Sequence, residues 1–432
     1  MTLGLSLTLV FVSMALFAIA SATVWWMLHA WRDPDTNRAT GFARQGGLPA
    51  LSFSLLVPAR HEEAVLAQTL EQLQRLDYPS YEVIVIVGHD DPGTHAVASA
   101  MAAQDPDRIR VVVDKNWPKN KPKALNTGLP FCRGEITVVF DAEDEVDRRL
   151  LRTVDRAFRA TDADVVQGAV QLINFRSSWY SLRNCLEYFF WFRSRLHLQE
   201  RHRFIPLGGN TVFVRTDVLR SVGGWDPDCL AEDCELGVRL SALGARVTVC
   251  YDPYLVTREE TPDTLWALLK QRTRWNQGFL QVLRKGQWRR LPMRRQRMLA
   301  RYTLAQPFLQ AFAGLGIPFA VLTAILAKVP VGVALITFLP ALPTLAMVIF
   351  EVVGLREFCR VYYARPRITD YLRLVIGTPF YQVVLAAGAC RAVARELRGD
   401  RGWEKTSHKG AHRAPTGTGA AELARGMERQ AA

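Results

Sequence analysis

The chain has 432 residues, enough for more than one domain, and 49% of them are hydrophobic. The formal net charge of +13 suggests an anionic partner, but the cations concentrate beside apolar segments and no recognised nucleic-acid module accompanies them. We therefore expect membrane lipid headgroups as the partner and exclude nucleic acid. The seven cysteines are odd in number and lack metal-ligand spacing, which predicts reduced thiols and no structural zinc.

The first predicted element is an apolar helix from Leu3 to Leu28, which contains no charged residue. At about 1.5 Å per residue, this stretch can cross a hydrocarbon core of about 30 Å. The alternative is a cleaved signal peptide, which usually has a basic start and an apolar core of about 7 to 15 residues. Neither property is present, so we predict a retained transmembrane helix over residues 1–30.

Residues 50–286 alternate short β-rich runs with helical patterns, which is typical of a mostly parallel sheet covered by helices. A helix is predicted over Glu63–Leu76. The predicted strands are Ser54–Pro58, Glu82–Val87, Ile109–Val113 and Ile136–Phe140. In open α/β sheets, ligands bind beyond the carboxyl ends of the strands, so the acidic clusters that follow the second and fourth strands are candidate site residues.

Three acidic residues follow the first two predicted strands. Glu62 lies where a loop opens a helix, and it can meet the sugar edge of a nucleotide or simply favour the helix dipole. Asp90 and Asp91 end the second strand before a Pro-Gly pair. One of these two can hydrogen-bond a uracil or ribose, and an ordinary turn is the alternative.

The acidic run after the fourth strand contains Asp141 and Glu143. Carboxylates two residues apart at a strand end can point at one hard cation, Mg2+ or Mn2+, whose other positions take diphosphate oxygens and water. A solvated helix N-terminus is the alternative. The position after a buried strand favours the metal site.

Two later clusters complete the set. Glu232 and Asp233 open a predicted helix, and Asp233 is the candidate general base for an acceptor hydroxyl. The run from Gln271 to Trp275 is the most specific cluster, because Arg274 offers a bidentate fork to a diphosphate and Trp275 an aromatic platform for a sugar ring. A basic amphipathic helix near the membrane is the alternative.

The C-terminal part is again apolar. Tyr302–Leu326 and Val331–Gly354 predict a transmembrane hairpin, preceded by a basic interfacial helix over residues 287–301. The stretch Tyr371–Cys390 either crosses the membrane or, broken by Gly377 and Pro379, forms a re-entrant or interfacial segment. Charge placement favours the second option, with a cytoplasmic tail.

Arginines flank these apolar segments on the side of the middle region. They are Arg32, Arg38 and Arg44 after the first helix, the run 284–301 before the hairpin, and Arg356, Arg360, Arg365 and Arg367 after it. The positive-inside rule therefore places residues 50–286 in the cytoplasm, on a multi-pass protein of the inner membrane. Residues 302–395 form the C-terminal membrane region, and the basic tail 396–432 is expected to be partly disordered.

In this order, the clusters resemble glycosyltransferase family 2, particularly its membrane-embedded branch of cellulose, hyaluronan and poly-N-acetylglucosamine synthases. The resemblance covers roughly Val57 to Trp403. It implies an α/β, GT-A (Rossmann-like) cytoplasmic domain with a mostly parallel sheet, flanked by transmembrane and interfacial helices. It also implies a UDP-sugar donor and Mg2+ or Mn2+.

The resemblance also implies roles for individual residues. On the donor side, Asp90 or Asp91 would contact the uracil, Lys123 belongs to a Lys-Pro-Lys-Ala-Leu-Asn segment, and Asp141 and Glu143 would bind the metal. On the acceptor side, Asn210 belongs to the loop Leu207–Asn210, and Glu232 and Asp233 match the T-E-D motif with Asp233 as base. Gln271, Arg274 and Trp275 match Q-x-x-R-W, and Trp403 belongs to a tryptophan-x-lysine-threonine element. Glu143 stands where the family more often has aspartate, and Ala231 replaces the threonine of T-E-D.

These observations predict an inverting glycosyltransferase that adds a hexose from a UDP-sugar to a growing polysaccharide. One alternative is a single-addition enzyme that makes a lipid-linked sugar, and another is a catalytically degenerate sugar-nucleotide sensor or scaffold. Only three membrane spans are clearly predicted, which is a small membrane region for a pore. Formation of a pore could therefore need a homo-oligomer or a secretion partner.

Overall fold

The fold was analysed in a computed structural model that describes residues 2–32, 40–404, 413 and 423. Arg38 and the run 405–408 of the tail element lie outside the described residues. The strands are β1 (Phe53–Ala59), β2 (Tyr81–Gly88), β3 (Ile109–Asp114), β4 (Ile136–Val139), β5 (Val165–Gly168), β6 (Val170–Leu172), β7 (Val212–Arg215), β8 (Val247–Cys250) and β9 (Thr257–Glu259).

Fourteen α-helices are described. They are α1 (Thr2–Arg32), α2 (Leu66–Gln74), α3 (Pro92–Gln104), α4 (Lys121–Gly128), α5 (Leu150–Thr161), α6 (Ser181–Phe190), α7 (Leu196–Arg201), α8 (Thr216–Ser221), α9 (Glu232–Ala242), α10 (Leu265–Lys285), α11 (Arg294–Leu326), α12 (Val331–Phe338), α13 (Ala341–Val361) and α14 (Ile368–Leu397). A π-helical turn, Trp191–Arg195, joins α6 to α7.

Seven strands form one sheet in the order β3-β2-β1-β4-β7-β5-β8. Only β7 runs antiparallel to its neighbours, so the sheet is mostly parallel, as predicted. Successive side chains of β1 enter different cores, Leu55 on one face and Leu56 on the other. Because both faces are covered by helices, the strands are almost continuously apolar.

The four predicted strands are confirmed to within two residues at each end. The helix predicted from Glu63 begins three residues later, at Leu66. The residues before Leu66 form a loop instead of the predicted first turn, and in this loop the Glu62 amide donates to the Thr94 hydroxyl at 3.0 Å. His61 has a positive φ of 53° just before this point, which is incompatible with a helical turn.

Within the part of the chain that the structure describes, four segments are long and apolar enough to cross a membrane: Leu3–Leu28, Arg294–Leu326, Val331–Val361 and Ile368–Leu397. The separate interfacial helix predicted over 287–301 was wrong. A short 3-10 turn, Gln287–Arg290, is followed by α11, which begins at Arg294 and continues through Pro307 and Pro318 to Leu326. The side chain of Gln296 caps the amide of Met293 at 2.9 Å and starts this long helix.

The break expected at Gly377 and Pro379 is not present, because α14 is one continuous helix of 30 residues. Its first turn contacts the α/β domain through Asp370, which accepts a 2.8 Å hydrogen bond from Arg176. Its last turn does so through Glu396, which accepts from Gln277 at 3.2 Å. Helix α14 therefore lies along the α/β domain over most of its length.

The tail was expected to be partly disordered, but two of its residues are packed on the α/β domain. Leu423 is fully buried in the core that contains Leu56. Arg413 donates hydrogen bonds to α2 and to the acidic loop after β4. Apolar burial and hydrogen bonding hold the chain at these two positions, and partial disorder of the tail stays a prediction.

Candidate functional site

A cavity of about 870 Å³ opens beyond the carboxyl ends of β1 and β4 and continues between α1, α11, α13 and α14. Most of the residues predicted for the site line this one cavity, although they are remote in sequence. They are Glu62, Asp141, Glu143, Asn210, Glu232, Asp233, Gln271, Arg274, Trp275 and Trp403. Asp90, Asp91 and Lys123 do not line it.

The acidic loop after β4 divides its carboxylates between the cavity and the protein interior. Asp141 and Glu143 line the cavity. Asp144 is fully buried behind them, where it accepts hydrogen bonds from Asn210 at 2.8 and 2.9 Å and from the Asp141 amide at 2.8 Å. Burial, with Glu259 nearby, raises the pKa of Asp144 well above its ordinary value. Glu143 rather than Asp144 is therefore available to a ligand.

Two lysines of the same short segment lie in different surroundings. Lys121 pairs with Asp141 inside the cavity. Burial alone would lower the pKa of Lys121, but the nearby carboxylates, Asp141 first, outweigh burial and raise it. The Lys123 ammonium instead donates to the carbonyls of Trp117 and Pro118 at 3.2 and 3.1 Å.

Sequence reasoning therefore selected Lys123 and missed Lys121 as a site residue. Residues two apart on an α-helix point in directions about 200° apart, so only one of the two lysines can face the cavity. The sequence offers no signal that separates Lys121 from Lys123, because both lie in the first turn of α4.

Helix α9 presents its two acidic residues at its N-terminus. Asp233 accepts a hydrogen bond from the Gly209 amide, which belongs to the predicted acceptor-side loop. Glu232 is buried, and burial, reinforced by Asp233, raises the pKa of Glu232 to about 7. The positive groups of Lys121 and Arg274 act in the opposite direction.

Helix α10 brings the Gln271–Trp275 cluster to the same cavity. The guanidinium of Arg274 lies 4.5 Å from the ring centre of Trp403, so the predicted tail tryptophan reaches this site. The buried atoms Arg274 Nε and Gln271 Oε1 have no hydrogen-bond partner among the described residues. Buried polar atoms of this kind are usually satisfied by a ligand or by water.

The two aspartates after β2 have separate roles. Asp91 is buried and caps α3, accepting from the amides of His61 at 2.5 Å and Thr94 at 3.2 Å. Burial would raise the pKa of Asp91, but these hydrogen bonds lower it. Asp90 is exposed and pairs with Arg60 at 2.8 Å. Of the two residues, Asp90 is the one whose carboxylate remains accessible to a nucleotide.

The donor set fits a divalent cation of the Mg2+ type. Within the described ranges, no group of three or more His, Cys, Asp or Glu side chains forms a metal cage. Asp141 and Glu143 supply hard oxygen ligands at the cavity wall. A cation bound by one or two carboxylates, with substrate phosphates and water in its other positions, is the usual mode for Mg2+.

A mostly parallel sheet with carboxylates beyond its strand ends, a cationic helix opposite them and an acidic helix start defines a GT-A glycosyltransferase. Residues 49–278 match the family model described as "Glycosyltransferase like family 2". This match covers more than half of the chain, which therefore belongs to glycosyltransferase family 2.

Two curated relatives illustrate the range of acceptors in the family. Beta-monoglucosyldiacylglycerol synthase of Nostoc sp. is 32% identical over 247 residues, which are 55% of this chain and 50% of that protein. Poly-beta-1,6-N-acetyl-D-glucosamine synthase of Staphylococcus epidermidis is 25% identical over 242 residues, 55% of this chain and 56% of that protein. The chain thus spans about half the length of the curated relatives it matches.

One solved structure shares the fold over most of the chain. It is a mannosyltransferase from Pyrobaculum calidifontis in complex with GDP-Man and Mn2+, with a TM-score of 0.58 and 20% identity. The similarity covers 89% of this chain and 99% of that one. At this identity, the comparison establishes the GT-A fold alone.

Proposed function

We propose that this protein is a membrane-bound inverting glycosyltransferase that transfers a hexose from a UDP-sugar to a hydroxyl group of a lipid-linked acceptor. The observation that supports this most strongly is the continuity of the cavity. It begins at Asp141 and Asp233 in the α/β domain and extends between α1, α11 and α13. A polar donor can therefore occupy one end while an acceptor enters from the membrane side.

The donor end has the charges that a nucleotide diphosphate requires. Lys121 and Arg274 both line the cavity near Glu232, and Arg274 Nε has no hydrogen-bond partner among the described residues. Asp141 and Glu143 would hold Mg2+ or Mn2+, which when bound would neutralise diphosphate charge. Asp90 is the proposed contact for the uracil, since its carboxylate is accessible.

Asp233 is the proposed general base. The Gly209 amide fixes its carboxylate at the start of α9, and the side chain lines the cavity. In an inverting transfer, Asp233 takes the proton of the acceptor hydroxyl, the hydroxyl oxygen bonds to the anomeric carbon, and the bond from that carbon to the diphosphate breaks. UDP then leaves, while Lys121 and Arg274 neutralise its charge.

The second candidate is chain growth into a polysaccharide, which the sequence favoured. Its support is the set of amide side chains within the apolar part of the cavity: Gln306, Gln310 and Gln382. Amides can hydrogen-bond sugar hydroxyls. In either case, we place the α/β domain in the cytoplasm, because the arginine-rich segments next to the helices lie on that side.

The proposal can be tested with the full chain in lipid nanodiscs, using labelled UDP-glucose and other UDP-hexoses with Mn2+. We expect release of UDP and one glycolipid that extracts into organic solvent, whereas a polymer would support the second candidate. Asp233→Asn should lower kcat by about 10² to 10⁴-fold without loss of donor binding. Asp228→Asn, an exposed aspartate nearby, is the matched control. Full turnover by Asp233→Asn would contradict the enzyme assignment and favour a sensor or scaffold.

A further inference from the structure

Arg195 lies in the cavity and has no acidic partner among the described residues. Arg195 ends the π-helical turn Trp191–Arg195, and its side chain lines the cavity. Among the described residues, its guanidinium forms one hydrogen bond, from Nη1 to Gln306 Oε1 at 3.3 Å, and no ion pair. It also lies 5.6 Å from the ring centre of Trp191. Single π-helical turns inside helices are frequent at functional sites.

The neighbouring arginines at this junction are each neutralised by a carboxylate. Arg183 pairs with Glu351 at 2.6 Å, and Arg193 pairs with Glu357 at 2.8 Å. Burial of Arg195 lowers its pKa, and Tyr302 and Glu187 only partly offset this effect. A desolvated cation without a partner is costly, so a guanidinium in this position calls for an anion supplied from outside the chain.

The depth of Arg195 identifies the source of that anion. Its partner Gln306 lies on α11 one turn after Tyr302. Tyr302 stacks on Trp26 of α1 with ring centres 5.7 Å apart, and Trp25 contacts Trp26 edge-on at 5.3 Å. Tryptophan and tyrosine collect at the membrane–water interface, where lipid phosphates lie. Basic pockets between membrane helices on the cytoplasmic side bind anionic headgroups.

We propose that Arg195 binds the phosphate of the lipid acceptor, so that the substrate class is a phospholipid with a hydroxyl group on its headgroup. The inference rests on the proposed function, because the acceptor must enter the same cavity. The planar guanidinium can bind two phosphate oxygens, and Gln306 holds its orientation. A general base at Asp233 serves an alcohol hydroxyl, whereas the phosphate oxygen of a polyprenyl phosphate is already largely anionic at neutral pH and needs no base. This difference favours a phospholipid.

The chemical step then conserves all atoms. The headgroup hydroxyl gives its proton to Asp233, and its oxygen bonds to the anomeric carbon of the hexose. The bond between that carbon and the diphosphate breaks, and UDP leaves. The phosphate on Arg195 does not react and only positions the acceptor.

The test compares two acceptors in phosphatidylcholine nanodiscs that contain the full-length protein. Phosphatidylglycerol has a phosphate and a headgroup hydroxyl, whereas diacylglycerol has the hydroxyl alone. We expect Arg195→Gln to raise the KM for phosphatidylglycerol by about tenfold or more, since a charged hydrogen-bonding pair is lost, with kcat and the donor KM nearly unchanged. The KM of Arg195→Lys for phosphatidylglycerol should lie between those of the wild type and Arg195→Gln. Arg294→Gln removes an exposed cation beside the membrane and is the matched control.

A second variant tests the same site in the opposite way. Gln306→Glu would place a carboxylate on Arg195 and thus compete with the lipid phosphate without removing the guanidinium. We expect it to weaken phosphatidylglycerol binding, measured by native mass spectrometry without donor, and to preserve or raise the melting temperature. Inorganic phosphate should not displace the lipid. Displacement by inorganic phosphate at equal concentration would indicate a site for the free ion and overturn the proposal.

The remaining outcomes are also decisive. Equal use of diacylglycerol and phosphatidylglycerol by the wild type, or an unchanged KM in Arg195→Gln, would overturn the inference while leaving the glycosyltransferase assignment intact. Phosphatidylglycerol binding that depends on Arg195, in a protein that releases no UDP from any UDP-sugar, would support the lipid site and contradict the proposed function.

Discussion

The ammonium group of Lys121 pairs with the carboxylate of Asp141 inside the cavity, and Glu232 and Asp233 add to the negative charge around it. This arrangement places the Lys121 cation among three carboxylates. A diphosphate that enters would meet this cation together with Arg274. Lys121 is therefore the residue that reduces the repulsion between the donor and the acidic wall.

We expect Lys121→Met to lower kcat/KM for the donor by about 100-fold, the range found when a preorganised electrostatic group is removed. Steady-state UDP release measures this effect. Lys123→Met is the matched control, because the Lys123 ammonium faces the Trp117 and Pro118 carbonyls, and its loss should change the rate by less than about threefold. Equal losses in both variants would remove the distinction between the two lysines.

The contact between Gly278 and Ala231 sets how close α10 approaches the start of α9. A Cβ atom on Gly278 would collide with the Cβ and amide of Ala231, next to Glu232 and the proposed base Asp233. We expect Gly278→Ala to cost about 1–3 kcal/mol of stability and to lower kcat at least tenfold, by moving Arg274.

Thermal unfolding and UDP release measure the two effects. Gly332→Ala in α12 is the control, because no atom lies within 4 Å of its added Cβ. A Gly278→Ala protein with normal turnover would show that the helix spacing does not position Arg274.

Glu232 makes stability depend on pH. Its pKa is about 7 in the folded protein against an ordinary value of 4.5, because burial and then Asp233 disfavour the charged form. The folded state therefore binds the proton more tightly, and stability falls as pH rises from about 4.5 to about 7. We expect Glu232→Gln to raise the melting temperature relative to wild type at about pH 8 and to have little effect at about pH 5.

Glu71→Gln, at an exposed position of α2, is the control for loss of a carboxylate. A constant difference in melting temperature between wild type and Glu232→Gln at both pH values would show that Glu232 does not titrate in this window.

The α/β sheet could be predicted from the sequence because β2, β3 and β4 are dense in β-branched residues and acidic clusters follow β2 and β4. The position of Asp141 and Glu143 at the site followed from topology, since parallel strands present their carboxyl ends to one edge. Asp233 opens α9 and does not follow a parallel strand, so strand topology does not explain why it lies at the same site. Strand β7 runs antiparallel through the centre of the sheet, and nothing in its short apolar pattern indicates that direction.

The direction in which individual side chains point could not be predicted from the sequence. Lys121 and Lys123 differ only by the helical direction in which they point. Arg195 belongs to a run of apolar and basic residues in which only three-dimensional packing distinguishes the paired arginines from the unpaired one. The start of α11 at Arg294, without a separate interfacial helix, depends on the side-chain cap from Gln296.

Arg413 connects the tail to the proposed metal loop. One of its terminal nitrogens donates to the carbonyls of Glu143 at 2.9 Å and Asp144 at 3.1 Å, and to the Thr69 hydroxyl at 2.6 Å. The Thr69 hydroxyl in turn donates to the Ala142 carbonyl at 2.6 Å. The guanidinium thus ties the backbone of the acidic loop to α2.

We expect Arg413→Ala to raise the Mn2+ concentration required for half-maximal UDP release by about threefold to tenfold, since the loop that presents Asp141 and Glu143 loses hydrogen bonds worth about 1 kcal/mol each. Arg398→Ala, an exposed arginine that ends α14, should leave the Mn2+ requirement unchanged. A chain ending at Glu404 lacks Arg413 and should show the same increase. An increase in the truncated chain but not in Arg413→Ala would assign the effect to another part of the tail, because the truncation also removes Leu423 from the core.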